Sequence, residues 1–259
     1  MYAKYYAKRF YTSKEEGYIK TISNLISKLK IRYLLDKLTW NIHLGYLVKW
    51  KNNLVLDYGC GTDLNYKVAK SKIKQWIWMD VNAPIIEWLR NEWYKCYTWT
   101  LDDISNIEEK FDYILMSQVI EHTYNPIETI KNAKKILNKG GKIIISTPNL
   151  DSKYIDKYNE NWINWHVPYH TILFNKKAFE YIAKETNLKL SNISTITPTN
   201  WFLIQKNVKS CEKWEKNLTF KSSISIFRTL FVSLGLFFWK LFWDKYKEDN
   251  LIVELYKEE

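Results

Sequence analysis

Four carboxylates, a close pair of glycines and three histidines are the residues of this sequence whose types and spacing could do chemistry. Asp57, Gly59, Cys60 and Gly61 close a short apolar run at residues 54–58, and Asp63 follows two positions later. Glycines so placed permit a tight turn and let the backbone approach a ligand, because no Cβ intervenes. Asp80 stands 23 positions beyond Asp57. An acid about 20 residues past a glycine-rich turn can accept hydrogen bonds from both hydroxyls of a ribose. Asp102 is a third acid in the same series of segment ends. His122, His166 and His170 titrate near neutral pH and could move a proton. Each of them could equally be a structural histidine.

These residues need a scaffold that gathers segment ends on one side. From residue 54 onward, short apolar runs alternate with helical patterns. The runs are read at 54–58, 75–81, 95–100, 111–117 and 142–147, with helices at 64–72, 83–93 and 126–137. Asn125-Pro126 opens the last of these helices, and Asn138-Lys139-Gly140-Gly141 is expected to end it. A helix at 176–186 and strands at 188–196 and 250–256 complete the series. The alternation predicts an α/β fold with a doubly wound, mostly parallel sheet. In such sheets ligands sit at the carboxyl ends of the strands, where Asp57, Asp80, Asp102 and Ser117 all fall.

The acids also speak to the cofactor. Asp63 stands where a dinucleotide fingerprint often places its next glycine, and an acid there would repel a pyrophosphate. Asp57 and Asp63 better suit a cofactor with a cationic centre and an ammonium group. Electrostatics therefore favour S-adenosylmethionine over NAD.

Asp57-Tyr58-Gly59-Cys60-Gly61-Thr62 resembles the first motif of class I S-adenosylmethionine-dependent methyltransferases. Phe111-Asp112-Tyr113-Ile114-Leu115, then Val119-Ile120-Glu121-His122 with Asn125-Pro126, are similar to that family's fourth strand and the element after it. Residues 133–141 and 145–149 resemble its fifth-strand region. His170-Thr171-Ile172-Leu173-Phe174-Asn175 resembles a segment of the small-molecule branch, which includes the ubiquinone-biosynthesis O-methyltransferases. The resemblance implies a seven-stranded Rossmann-like sheet. It also implies that Asp57, Gly59, Cys60 and Gly61 hold the methionine part of the cofactor and Asp80 the ribose. Val81 would pack on the adenine, Asp102 would accept from its amino group, and Ser117 and Gln118 would sit beside the methyl donor. Gln118 stands where the ubiquinone-type enzymes often carry a glutamate associated with a divalent metal, so no metal centre is expected. For a hydroxyl acceptor the candidate bases are His122, His170 and His166, with Trp162, Trp165 and Tyr169 as an aromatic acceptor wall or as packing.

Residues 1–50 read as a helical cap and 51–259 as the methyltransferase domain, interrupted by an apolar helical insertion at about 197–248. Within the insertion, Phe227, Leu230, Phe231, Leu234, Phe238, Leu241 and Phe242 recur at helical spacing. Only residues 229–239 are free of charge, too short a stretch to span a bilayer. Residues 224–243 are thus read as an interfacial membrane helix, a packed or dimer-forming helix, or a lid over a lipid-like acceptor. The net charge of +11 suits an anionic membrane surface, and the presence of only four arginines argues against nucleic acid. Three widely spaced cysteines and no apolar leader fit a cytoplasmic protein, peripheral on the inner face of the membrane in the lipid reading. The expected activity is methyl transfer to oxygen of a small or lipid-linked acceptor such as a glycan, lipid or quinone-like molecule. An RNA or protein methyltransferase and a non-catalytic scaffold are the alternatives.

Overall fold

The computed structural model describes residues 43–49, 51–61, 65, 73–98, 100–101, 107–199, 201–202, 205, 232, 234–235 and 246–258. The chain divides into two compact units, Met1–Ile42 with Thr197–Trp243, and His43–Ile196 with Asp244–Glu259. The predicted cap helices before residue 43, the predicted helix at 64–72 apart from Asn65, and nearly all of the apolar segment 224–243 lie outside the described residues.

The second unit is built on a seven-stranded sheet. Its strands are β1 (Lys51–Tyr58), β2 (Ile73–Met79), β3 (Cys96–Tyr97), β4 (Phe111–Ser117), β5 (Leu137–Pro148), β6 (Lys189–Ile196) and β7 (Asn250–Tyr256). They lie in the order β3-β2-β1-β4-β5-β7-β6. β7 runs antiparallel to β5 and β6, while the other pairs are parallel. The apolar runs explain the centre: Leu56, Ile77, Ile114, Ile143 and Val253 are buried in one core. A strand covered on both faces reads as a nearly continuous hydrophobic run.

Helices α1 (Ala83–Asn91), α2 (Pro126–Lys135), α3 (Lys153–Tyr158) and α4 (Lys176–Thr186) are the described α-helices. Asn125 caps α2 by accepting from the Glu128 amide at 3.2 Å, and Asn175 caps α4 through the Ala178 amide at 3.0 Å. Both satisfy a first-turn N–H that has no partner within its helix. α4 buries Phe179 and Ile182 on the core side, each contributing roughly 1.5–3 kcal/mol.

Strand order reverses between β1 and β4, where Tyr58 pairs with Met116. The glycine turn after Tyr58 therefore opens onto the crevice at a topological switch point.

Most boundaries fall within about three residues of the sequence-based expectation, and the larger differences are at β3 and β5. β3 is only two residues long rather than spanning 95–100. Asn138-Lys139-Gly140-Gly141 belongs to β5 rather than to a helix stop. Leu137 pairs with Phe111 and Lys142 with Tyr113, so the glycines form an irregularity inside the strand. Gly140 has φ +75°, and a Cβ on Gly141 would lie 2.8 Å from Leu137 Cγ, so the bulge needs both.

Candidate active site

The turn after β1 is held by backbone and by one acid. The Gly59 amide donates to the Met79 carbonyl at 2.8 Å. The Gly61 amide donates to Asp80 Oδ2 at 3.0 Å, and the Asn82 amide donates to Asp80 Oδ1 at 2.8 Å. Asp80 thus clamps the turn, and each carboxylate oxygen retains acceptor capacity. Burial holds its carboxyl above the ordinary carboxylate range. Gly59 and Gly61 have φ +69° and +50°. A Cβ on Gly59 would sit 2.4 Å from Val119 Cγ2, whereas one on Gly61 would meet nothing within 4 Å. The first glycine is required by close packing and the second leaves an open face to the turn. Asp57 is fully buried and accepts from Asn65 Nδ2 at 3.0 Å. Cys60 is buried, which pushes its thiol up and keeps it protonated. Val81 is exposed beside Asp80. Ser117 ends β4, and Gln118, at φ +56°, donates from Nε2 to Ser146 Oγ and Asn250 Oδ1. Asp102 and Asp63 lie outside the described residues. A glycine turn clamped by a strand-end acid, with an exposed apolar side chain beside it, can take a nucleoside cofactor.

The three histidines come together although 48 positions separate His122 from His170. The His122 and His170 rings are 4.8 Å apart edge to face, and His166 and His170 are 4.9 Å apart. His122 sits in the 3-10 turn Ile120–His122 that follows β4. His170 sits beyond the 3-10 turn Ile163–Trp165, after which His166 takes a left-handed conformation and the chain reverses. His122 Nδ1 meets the Tyr169 carbonyl at 2.8 Å, and His170 Nδ1 meets the Asn164 carbonyl at 2.7 Å. A carbonyl can only accept, so each Nδ1 carries the proton and each Nε2 keeps a lone pair. Burial disfavours the imidazolium, lowering His122 and holding His170 down at about 4. Both rings are therefore neutral bases at neutral pH.

Glu121 adjoins them and is fully buried. Its Oε2 accepts from Thr147 Oγ1 at 2.9 Å, while Oε1 has no hydrogen-bond partner among the described residues. Desolvation raises its carboxyl to about 8. Its backbone carbonyl accepts from the Thr171 amide and hydroxyl, tying the His170 loop to the end of β4.

Glu121, His122 and His170 each offer one ligand atom, all within 4.8 Å of one another. Two neutral imidazoles and a carboxylate match the donors a divalent transition metal takes. The sequence offers Glu121 and His122 as ligands, and a metal centre is set aside there because Gln118 lacks a carboxylate; the fold adds His170 beside them, from a loop that spacing does not connect to Glu121.

The aromatic wall is also revised. Trp162 is 2% exposed and its Nε1 donates to Asp249 Oδ1 at 2.8 Å, so it is packing rather than an acceptor surface. Trp165 donates from Nε1 to the Asn159 carbonyl and rests edge-on against Trp162 at 5.2 Å. Tyr169 lies near His166 at 5.1 Å and lends its carbonyl to His122. Asp249, one residue before β7, was not singled out in the sequence; an acid in a polar loop carries no periodic signal.

Comparison with known proteins agrees with this architecture. A family model described as "Methyltransferase domain" matches residues 38–193, more than half of the chain. An uncharacterized protein of Methanocaldococcus jannaschii is 30% identical over 105 residues, covering 40% of this chain and 49% of that protein. A ubiquinone biosynthesis O-methyltransferase of Coxiella burnetii is 24% identical over 138 residues, covering 50% and 54%. The chain thus spans about half the length of these curated relatives. Among solved structures, the putative methyltransferase complexed with the Haloferax volcanii Trm112 activator superposes with a TM-score of 0.55 at 11% identity, covering 91% of this chain and 97% of that one. A SAM-dependent methyltransferase of Thermotoga maritima gives 0.54 at 14% identity, covering 91% and 99%.

Proposed function

The chain belongs to the methyltransferase-domain family, and from that membership and the histidine geometry we propose that it methylates a hydroxyl of a small or lipid-linked acceptor. It is an S-adenosylmethionine-dependent enzyme. That cofactor, when bound, supplies an electrophilic methyl group on a sulfonium. The glycine turn, Asp57 and Asp80 would hold its amino acid and ribose parts, Val81 would serve the base, and Ser117 and Gln118 would lie toward the methyl donor at the end of β4. The single observation that carries the oxygen acceptor is the histidine pair. Backbone carbonyls fix both rings in the Nδ1–H tautomer, which leaves Nε2 as the basic nitrogen of His122 and of His170. Such a nitrogen takes a hydroxyl proton as the oxygen becomes a nucleophile. Glu121, protonated at neutral pH, adds no charge that would draw the rings toward imidazolium. The half-length match to a ubiquinone biosynthesis O-methyltransferase supports a quinone-like or lipid-linked acceptor.

The test is release of S-adenosylhomocysteine by the purified protein with a panel of phenolic and polyol acceptors. His170→Asn and His122→Asn should each lower turnover roughly 100-fold with cofactor affinity kept. Full activity in both would sink the base assignment. A second reading is favoured by the unpartnered Glu121 Oε1: the same triad holds a divalent ion that binds the acceptor oxygen. Activity lost to a chelator and restored by zinc or manganese selects it; activity indifferent to both selects the bare histidine base. For the membrane setting, flotation with anionic liposomes should depend on residues 222–245; if their deletion leaves flotation unchanged, that segment is not the anchor.

A further inference from the structure

The buried acid Asp249 is absent from the reaction just described, yet it is wired to it. Asp249 Oδ1 accepts from Trp162 Nε1 at 2.8 Å and from Ser152 Oγ at 3.4 Å, and Oδ2 accepts from Asn164 Nδ2 at 2.8 Å. Asp249 is 5% exposed and Asn164 is 2% exposed. Asn164 is the residue whose carbonyl receives His170 Nδ1–H.

The near end of this segment needs no such acid. The Asn149 amide donates to the Asp249 carbonyl at 2.9 Å, Asn149 Nδ2 donates to the Tyr246 and Glu248 carbonyls, and the Lys153 amide donates to the Lys247 carbonyl at 3.0 Å. Backbone groups therefore already fasten residues 149–153 to the approach of β7. What the carboxylate adds is reach. It grips Trp162 and Asn164, on the short turn that carries the His170 acceptor. Burying a carboxylate beside Glu248 is costly, and desolvation lifts it to about 6. A tie that served packing alone would be made at least as well by an apolar contact.

We infer that Asp249 is a positioning residue for the histidine site, holding the Asn164 carbonyl where it selects the Nδ1–H tautomer of His170. The inference rests on the reading of His170 as the proton acceptor, and it names a second layer beneath that site. Without the anchor, the 3-10 turn loses its tie to the carboxylate, and the His170 imidazole reverts toward the Nε2–H form that an unconstrained ring prefers. The Nε2 lone pair is then lost for part of the population.

The experiment reads the tautomer directly and needs no acceptor. Two-bond nitrogen–proton correlation spectra of the full-length protein resolve the ring nitrogens of its four histidines, and single His→Asn variants assign them. His170 should show a pyrrole-type Nδ1 and a pyridine-type Nε2. In Asp249→Ala and in Asn164→Ala the two shifts should move toward each other as tautomers mix. Asp249→Asn should keep the parental pattern, because its oxygen can still accept from Trp162 and Ser152 while its amide donates to a flipped Asn164 side chain. Should Asp249→Ala fail to fold, Asn164→Ala and Asp249→Asn carry the test. Folded Ala variants that keep a single Nδ1–H tautomer overturn the inference, as does an Asp249→Asn protein with mixed tautomers. If His170→Asn leaves methyl transfer unchanged, the base assignment fails while the tautomer result stands separately.

Discussion

Replacing Glu121 by glutamine tests the electrostatics beside the histidines. The carboxyl is fully buried and sits at about 8 instead of 4.5, with desolvation as the main cause. Between those values the folded chain keeps a proton that the unfolded chain has released. Stability therefore falls as pH rises, by about 1.4 kcal/mol per pH unit from this group, and the loss levels off above about pH 8. Summed from 4.5 to about 8, the loss is roughly 5 kcal/mol. The amide side chain of the Glu121→Gln variant does not titrate. Its N–H meets the place where Oε1 has no partner, which costs about 1–3 kcal/mol but is constant with pH. The difference between variant and parent should thus shift in the variant's favour by roughly 3 kcal/mol from about pH 5 to about pH 7. Urea unfolding followed by tryptophan fluorescence, in chelator, at four values between about pH 5 and about pH 8, measures it. Parallel stability curves for the two proteins would refute the reasoning. Repeating the series with zinc separates the two readings of the site, because a bound cation keeps Glu121 ionised and flattens the difference.

Other substitutions probe the cofactor turn and the acid's support. Gly59→Ala places a methyl against Val119 at a left-handed backbone position; it should weaken S-adenosylmethionine binding at least tenfold by calorimetry and cost about 1–3 kcal/mol of stability. Gly61→Ala has open space around its Cβ and should lose less stability than Gly59→Ala in the same urea titration. Asp80→Ala frees the Gly61 and Asn82 amides, so cofactor affinity should fall while the denaturation midpoint moves little in comparison. Thr147→Val removes the hydrogen bond from Thr147 Oγ1 to the Glu121 carboxyl; it should raise that carboxyl further and destabilise the fold by about 1–3 kcal/mol.

The sheet and the cofactor turn were legible because their signals are local. An apolar run that ends in Asp57 and two glycines, or in Asp80, reports a buried strand and its polar end within a short window. Helix starts at Asn125 and Asn175 were equally readable, since a cap bonds three positions away. The irregularity at Gly140 and Gly141 was misread as a helix stop, because only the neighbour Phe111 shows that Leu137 is already in the sheet.

The catalytic layer depends on contacts that no local pattern encodes. The sequence by itself named His122, His166 and His170 as bases, but tautomer and neutrality follow from the Tyr169 and Asn164 carbonyls and from burial. The sequence left Trp162 as acceptor wall or packing; its partner Asp249, 87 positions away, decides for packing. Glu121 stood in the sequence as part of a motif; its backbone carbonyl pins the His170 loop, and its side chain became a candidate ligand again when the fold brought His170 to it. Residue types, short-range periodicity and the motif resemblance thus determined the scaffold and pointed to the cofactor, because their signals lie in short windows. Protonation, ligand geometry and the acid that supports them were decided by tertiary structure, because desolvation and hydrogen bonding act between segments that meet only after the chain has folded.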